Sequence, residues 1–595
     1  MMKKHGIGFL VLMLALFTSA VLLESASAEL NSDPDSPLSQ ATVSPKYSVV
    51  DDYVDRTFYS SIGTDRGKMG SGADHKVNFT GGTVKVNVVN GWAGVWTSLK
   101  HTARETGQSH ALKGDALLGP YVLKKFQPRI TGIRIKLLAG LGKLKVELKD
   151  INDAPVFVRT IGMSGGSRII NIPVEPTAQL KFFNWLVDGP GHATVDEVGF
   201  IVSSPVYTIA EATFLFSYGH LSQCFDPDSG LVRDRASWPS GDFAAVQSTG
   251  MFALATAVAH DRGYVSETTA KNIVRKIKAT LLTLPRYNGL LPHFVTEGDI
   301  TKYEEWSSVD TVIALTSSIL ACQSLGIDFS PLVKVMRNIN WNDLSDNGTK
   351  SISHGYDYEG NKLENRWDTF GSESFLVAVA YAASTGKDKV LLQAYASPPT
   401  WDGSGFNDEL AALFFPMTGV DVWGNDWARY RNNAFRKQYR FFEKRYPRYA
   451  SLHLFGLSAS EIPEPCLVDP DYAAFGVGGH KKGGPLTGKS LVGYPVLAPH
   501  YPAMVMAEHP GAAERVLRYL MVTRKVFTPL NDVESYGIDP DGELHWNPLK
   551  ESWNLSMQGL GASRALSGKD YVVYRALTGN AFLNQGFQKI MPGAK

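Results

Sequence analysis

The chain has 595 residues, with 59 Lys and Arg against 58 Asp and Glu and a net charge of +1. That balance lacks the basic excess of a nucleic-acid binder, so no nucleic-acid partner is expected. The length exceeds one ordinary core and predicts two or three domains. Three cysteines, Cys224, Cys322 and Cys466, leave room for one disulfide but not for a disulfide-built fold or a zinc site.

The chain opens with Lys3 and Lys4, an apolar run from Ile7 to Leu23, and Ala26-Ser27-Ala28. This is the layout of a secretory signal peptide, predicting cleavage after Ala28 and a secreted or periplasmic protein. The rival reading is an uncleaved anchor, because the run is long for a signal peptide. No later segment is long and apolar enough to span a bilayer, so no integral span is expected once the signal is removed. Residues 29–48, rich in Ser, Pro and Asp, read as a flexible leader.

Period-two alternation governs residues 49–205. Thr83 to Val88, Gly132 to Leu137 and Lys143 to Leu148 alternate cleanly, and Ser167 to Val174 and Val195 to Val202 read as further strands. Short strands with Gly- and Pro-bearing turns predict an all-β sandwich, jelly-roll-like in kind. Trp92, Trp96 and Trp185 offer a platform for sugar rings, or equally fill the core.

From residue 206 to 595 the period is helical. Helices are predicted over Phe243 to His260 (amphipathic), from Ser266, over Val309 to Leu325, over Glu373 to Ser384 with Gly386 as the stop, and over Asp426 to Tyr446, Ala512 to Thr523 and Trp553 to Leu566. Long loops rich in Gly, Asp, Trp and Pro join them, which suggests paired helices in a ring whose loops line a cleft.

Several of these loops carry candidate chemistry. In Asp226-Pro227-Asp228-Ser229-Gly230-Leu231-Val232-Arg233-Asp234-Arg235, Asp234 is an active-site acid held ionised by Arg233 or Arg235, or one half of a loop-fixing ion pair. Tyr303-Glu304-Glu305-Trp306-Ser307-Ser308-Val309-Asp310-Thr311 sets two carboxylates between aromatic rings ahead of a helix. Aromatic walls desolvate a carboxyl group and raise its pKa, as a general acid requires. Ser307 and Asp310 form a capping-box-like pair, which accounts for Asp310 but not for Glu305. Trp367 through Glu373 is another aromatic loop, with Glu373 favoured at a helix start by the dipole alone. Trp423 and Asn433 are sugar-binding candidates or ordinary cap and core residues. No phosphate-binding glycine loop, H-E-x-x-H pair or nucleophile elbow occurs.

Over about residues 224–566 these segments resemble the glucoamylase-like domain family, which includes bacterial β-1,2-glucanases. Asp228 through Arg235 resembles its entry motif, and Glu305-Trp306-Ser307-Ser308-Val309-Asp310-Thr311 its E-x-S-S-x-D-T stretch. Trp367 through Glu373 is similar to its W-x-x-Y-S-E segment, with Phe370 and Gly371 in place of the usual residues. Asn433-Ala434-Phe435-Arg436 and Gly456 through Glu461 match in order. The family's D-G-T-x-x-P-T-A segment is replaced by Gly483 through Lys489, and its G-I-D-Q-G-P segment is lost near Trp553. The resemblance implies an (α/α)6 toroid and a metal-free, cofactor-free glycoside hydrolase, inverting in mechanism.

The sequence therefore predicts a multidomain chain that hydrolyses a β-linked glucan such as β-1,2-glucan, or an exopolysaccharide. Glu305 is the expected acid, with Asp234 or Glu373 activating water. Arg235, Tyr303, Trp306, Asp310, Trp367, Trp423, Asn433 and Trp553 are the expected substrate-binding residues. Two alternatives stand beside this: a lyase acting on an acidic glycan through Tyr303, His293, Arg235 or Lys489, and a non-catalytic glycan-binding protein on a hydrolase-like fold.

Overall fold

The computed structural model describes residues 42–54, 59–72, 74–102, 109–236, 243–296, 305–345, 351–387, 403–463, 472–477 and 493–594. The signal sequence, Tyr303, Glu304, Cys466 and the segment from Gly483 to Lys489 lie outside the described residues.

The first part is mostly sheet. Its strands are β1 (Tyr47–Asp51), β2 (Arg66–Ser71), β3 (His75–Thr80), β4 (Thr83–Val88), β5 (Trp92–Ser98), β6 (Arg129–Asp150), β7 (Pro155–Ser164), β8 (Arg168–Pro173), β9 (Gln179–Asp188) and β10 (Gly191–Ser203). They pair in the order β2-β5-β9-β6-β10-β4-β3, with β1 on β10 and with β7 and β8 on β6. All of this pairing is antiparallel.

Two separate facing sheets were expected, and the strands instead form one nearly closed, barrel-like sheet. The cause is β6. The alternating runs Gly132 to Leu137 and Lys143 to Leu148 belong to one strand of 22 residues. Its first half pairs with β8 and β10, its second with β7 and β9. A single strand that changes neighbours along its length ties both faces together and leaves fewer open edges. Val84, Val86, Ile133, Ile135, Leu137, Leu144, Val146 and Leu148 point inward with no exposure, as their alternation predicts. Trp185 is also core: it is 1% exposed, and its indole N–H donates to the Tyr53 hydroxyl at 2.6 Å. It therefore cannot serve a sugar platform. Trp92 and Trp96 remain partly exposed.

The second part is helical. Its principal helices are α1 (Ile209–Cys224), α2 (Val246–Asp261), α3 (Glu267–Thr283), α4 (Ser308–Ser324), α5 (Ser372–Thr385), α6 (Gly405–Glu409), α7 (Trp427–Arg445), α8 (His500–Val505), α9 (Pro510–Arg518) and α10 (Ser552–Ser567). α2 packs on α4, α4 on α5, α5 on α6, α6 on α8, α8 on α10, and α10 on α2. Local signals set the ends. Ser266, Ser307 and Asp426 cap α3, α4 and α7 through their side chains, and Gly386 closes α5 at φ +73°, where only glycine is at ease. The amphipathic helix expected over Phe243 to His260 differs in kind. Phe243–Ala245 is a short strand, and α2 is buried on every side from Val246 to Ala259, which suits a helix apolar all round.

The two parts are interlocked. Leu530, from the helical part, is 3% exposed within the core of the sheet, while Val43, Leu118 and Val122 join the core of the helices. Thr42–Val43 pairs with Tyr207–Thr208, so the end of the expected flexible leader is fixed in place. Asn531 donates to the Val49 and Ser61 carbonyls at 2.8 and 3.0 Å, and the Lys550 ammonium to the Ile62 carbonyl at 2.8 Å. Cys224 and Cys322 are buried free thiols. No helix of the described residues is long and apolar enough to cross a membrane.

Candidate active site

The chain segments entering α2, α4, α5 and α10 bring carboxylates to one cleft. Asp234 is 6% exposed. Its amide bonds the Phe243 carbonyl and its carbonyl accepts the Ser552 amide, both at 2.8 Å, so the entries to α2 and α10 hold it from two sides. Arg235 bridges Asp234 (3.3 Å) and Glu461. Arg233 donates to the Gln223 carbonyl, and of the two expected partners Arg235 pairs with Asp234. Nor does Arg235 keep the acid at its ordinary pKa. Burial outweighs the guanidinium and, with Glu551 alongside, pushes the carboxyl up to about 7.

Glu305 sits on a short strand, Glu305–Ser307, paired with Gly355–Asp357, rather than on a free loop. Its side chain is 35% exposed and lies 4.0 Å from His293, whose other ring nitrogen is 3.6 Å from the nearly buried Asp310. Burial raises the Glu305 pKa, opposed by His293 and assisted by Asp310. His293 also acts electrostatically on Asp234. Ser307 caps α4 by accepting the Asp310 amide at 3.3 Å, as the motif predicted. The Asp310 carboxylate is turned toward His293.

Glu373, in the first turn of α5, is pushed up to about 8 by burial and then by Asp310. Asn407 donates to one Glu373 oxygen at 2.9 Å and accepts the Ser372 amide at 3.0 Å. Gly371 makes this possible: a Cβ there would lie 2.0 Å from the Asn407 side-chain oxygen. Glu373 and Asn407 line a cavity of about 450 Å³ with His354, Arg366 and Trp367. Trp367 stacks on His354 at 3.8 Å and donates to the Ser308 hydroxyl at 2.8 Å.

Residues not singled out as site residues in the sequence complete the cleft. Glu551 immediately precedes α10, and Glu534 is held well above the usual carboxylate range by burial and by Glu551. Asn554 donates to Glu534. Tyr472 is 44% exposed, yet enclosure by the cleft and the nearby Glu551, Glu534, Asp234 and Glu373 hold its phenol well above its ordinary value. Their signal in the sequence was faint: a carboxylate just before a helix, as at Glu551, or an acid pair in an aperiodic stretch, as at Asp532 and Glu534.

The other expected binding residues divide. Trp306, Trp367 and Trp553 are partly buried beside these acids in sequence and pack on the helical core. Trp423 belongs to a loop whose neighbouring Val422 amide bonds the Ile590 carbonyl near the C-terminus. Asn433 lines a separate groove on α7. Among the described residues one group has metal-ligand spacing, Asp539, Glu543 and His545. There Asp539 already accepts the amides of Gly542 and Glu543 and contacts His545, which accounts for it as a hairpin turn.

No protein-family model and no curated protein matches the chain. Solved structures do resemble it in fold. The endo-β-1,2-glucanase of Chitinophaga pinensis superposes with a TM-score of 0.51 at 14% identity, covering 64% of this chain and 97% of its own. The β-1,2-glucanase of Parabacteroides distasonis superposes with a TM-score of 0.53 at 10% identity, covering 89% of this chain and 97% of its own. The wider coverage carries the second likeness beyond the helical part, and the chain thus resembles the β-1,2-glucanase-like fold group.

Proposed function

We propose that the protein is an exported glycoside hydrolase acting on a β-linked glucan, β-1,2-glucan being the first candidate. In this reading the helical part is an (α/α)6 toroid. α2, α4, α5, α6, α8 and α10 form its inner ring, and the sheet region is a second domain docked on it. The observation that carries the proposal is the arrangement around His293. Its two ring nitrogens face Glu305, a partly exposed carboxyl group with raised pKa, and Asp310, and the buried Asp234, paired with Arg235, is near enough to feel its charge.

Glycoside hydrolysis needs one carboxylic acid to protonate the leaving oxygen and one carboxylate to act on the opposite face. Glu305 suits the first role, since desolvation keeps it protonated at higher pH while its exposure leaves it within reach of substrate. Asp234 suits the second as the base that activates water, with Arg235 and His293 favouring its charged form. Glu373, neutral up to about pH 8 and oriented by Asn407, is placed to hydrogen-bond a sugar hydroxyl. The same protonation also makes Glu373 the second choice for the acid. Trp306 and Trp367 offer partly exposed ring surface for sugar faces. The resemblance to solved β-1,2-glucanases supports this reading.

β-Elimination is less well supported. That chemistry needs cationic groups to neutralise a uronate, whereas the expected base His293 is flanked by the carboxylates of Glu305 and Asp310. Digestion of β-1,2-glucan and, in parallel, of a uronic-acid polysaccharide in ¹⁸O-water separates the chemistries. Hydrolysis places one ¹⁸O in each new reducing end, whereas elimination gives unsaturated products that absorb in the ultraviolet and carry no label. Unsaturated products would overturn the proposal.

A further inference from the structure

A groove of about 630 Å³ runs along the outer face of α7. Asn433, Arg436, Lys437, Arg440, Phe441 and Lys444 line it, spaced so that a helix sets them on one stripe, about 16 Å long at 1.5 Å per residue. The opposite face of α7 is buried through Tyr430, Ala434, Phe435, Gln438 and Phe442, so core packing does not dictate the charge of the stripe. Arg445 adds a further cation, its guanidinium 5.2 Å from the centre of the Phe441 ring. No acidic residue lines the groove among the described residues, and Lys437, Arg440 and Lys444 have no ion pair among them. Like charges three and four residues apart repel and destabilise a helix, so this stripe is unfavourable for the fold taken alone.

The groove shares one chain segment with the carboxylate site. Val477 forms its other wall. Tyr472, five residues earlier in the same described segment, is near enough to Glu551, Glu534, Asp234 and Glu373 to feel their charges. One short segment therefore borders both the carboxylates and the cations. Guanidinium forks match carboxylate and phosphate oxygens, while Phe441 and Val477 supply apolar surface for the face of a sugar ring.

We infer that this groove receives anionic substituents, carboxylate or phosphate, on the polysaccharide whose backbone occupies the cleft. The inference rests on the reading of the cleft as a glycan hydrolase site and narrows its substrate to an acidic glycan.

The test uses the whole protein and three probes of equal chain length: unmodified β-1,2-glucan, the same glucan succinylated, and the same glucan phosphorylated. At low salt, one or both derivatives are expected to bind about tenfold more tightly than the parent, the return from two or three exposed ion pairs. Raising the salt should erode that preference by screening. Arg440→Ala with Lys444→Ala should abolish it, with thermal unfolding reporting that the fold is retained. Lys437→Gln with Lys444→Gln provides a second variant on the same stripe should the first lose its fold. Equal binding of all three glucans, a preference that survives both variants, or equally tight binding of a thymidine oligonucleotide would each overturn the inference. Turnover of unmodified glucan by the wild-type protein is scored separately. Turnover without an anionic preference sinks the groove alone, and a preference without any turnover sinks the hydrolase reading alone.

Discussion

At the scale of single residues, burial raises the pKa of the site's carboxyl groups. Asp234 and Glu373 reach about 7 and about 8, far above the roughly 4 of free carboxyls. The sign for stability follows from linkage. A carboxyl whose folded pKa is raised binds its proton more tightly when folded, so its contribution is fully present below the unfolded value. It is lost as pH rises through the folded value. The protein should therefore lose stability between about pH 4 and 8. Glu373→Gln, which needs no deprotonation, should show a visibly smaller drop in melting temperature between pH 5 and 8.5 than the wild type. An identical drop in both would show that Glu373 titrates normally.

At the scale of elements, the entry to α5 depends on one close approach. Gly371 leaves room for Asn407, which binds both the Ser372 amide and Glu373. Gly371→Ala should displace Asn407 and break both bonds, costing about 1–3 kcal/mol, measurable by urea denaturation. Unchanged stability would mean the side chain relocates freely. The same helix shows how much could be read from sequence. Its stop at Gly386 and the caps at Ser266, Ser307 and Asp426 were legible because capping is local chemistry. α1, α6 and α8 were not, since they are buried and too short or too uniformly apolar to show a 3.6-residue period. The strands were legible by alternation, but the fusion of two runs into β6 was not, because the glycine-bearing stretch Leu138 to Gly142 inside the strand reads like a turn. Within the site, Glu305 and Asp234 stood out by their aromatic and basic neighbours. Glu534, Glu551 and Tyr472 come together only through folding and had little local signature.

At the scale of the whole molecule, Leu530 joins the two parts. It lies in the sheet core, while Glu534, four residues on, stands among the carboxylates. Asn531, beside it, and Lys550, at the entry to α10, reinforce that junction. Leu530→Ala removes a buried side chain and should cost about 2–5 kcal/mol. In calorimetry the single transition expected of the interlocked protein should move to lower temperature or split in two. A variant that melts like the wild type would show that the junction contributes nothing to stability.

The central claim is that this cleft hydrolyses a glucan with Glu305 as the acid. Its most direct test is reducing-end release from a panel of soluble polysaccharides, β-1,2-glucan included, by the wild type and by Glu305→Gln. The account predicts release from a β-linked glucan by the wild type and a loss of about 10²–10⁴-fold in kcat in the variant. Wild-type turnover that Glu305→Gln leaves intact would contradict the assignment of the acid, and no release from any glycan would contradict the claim itself.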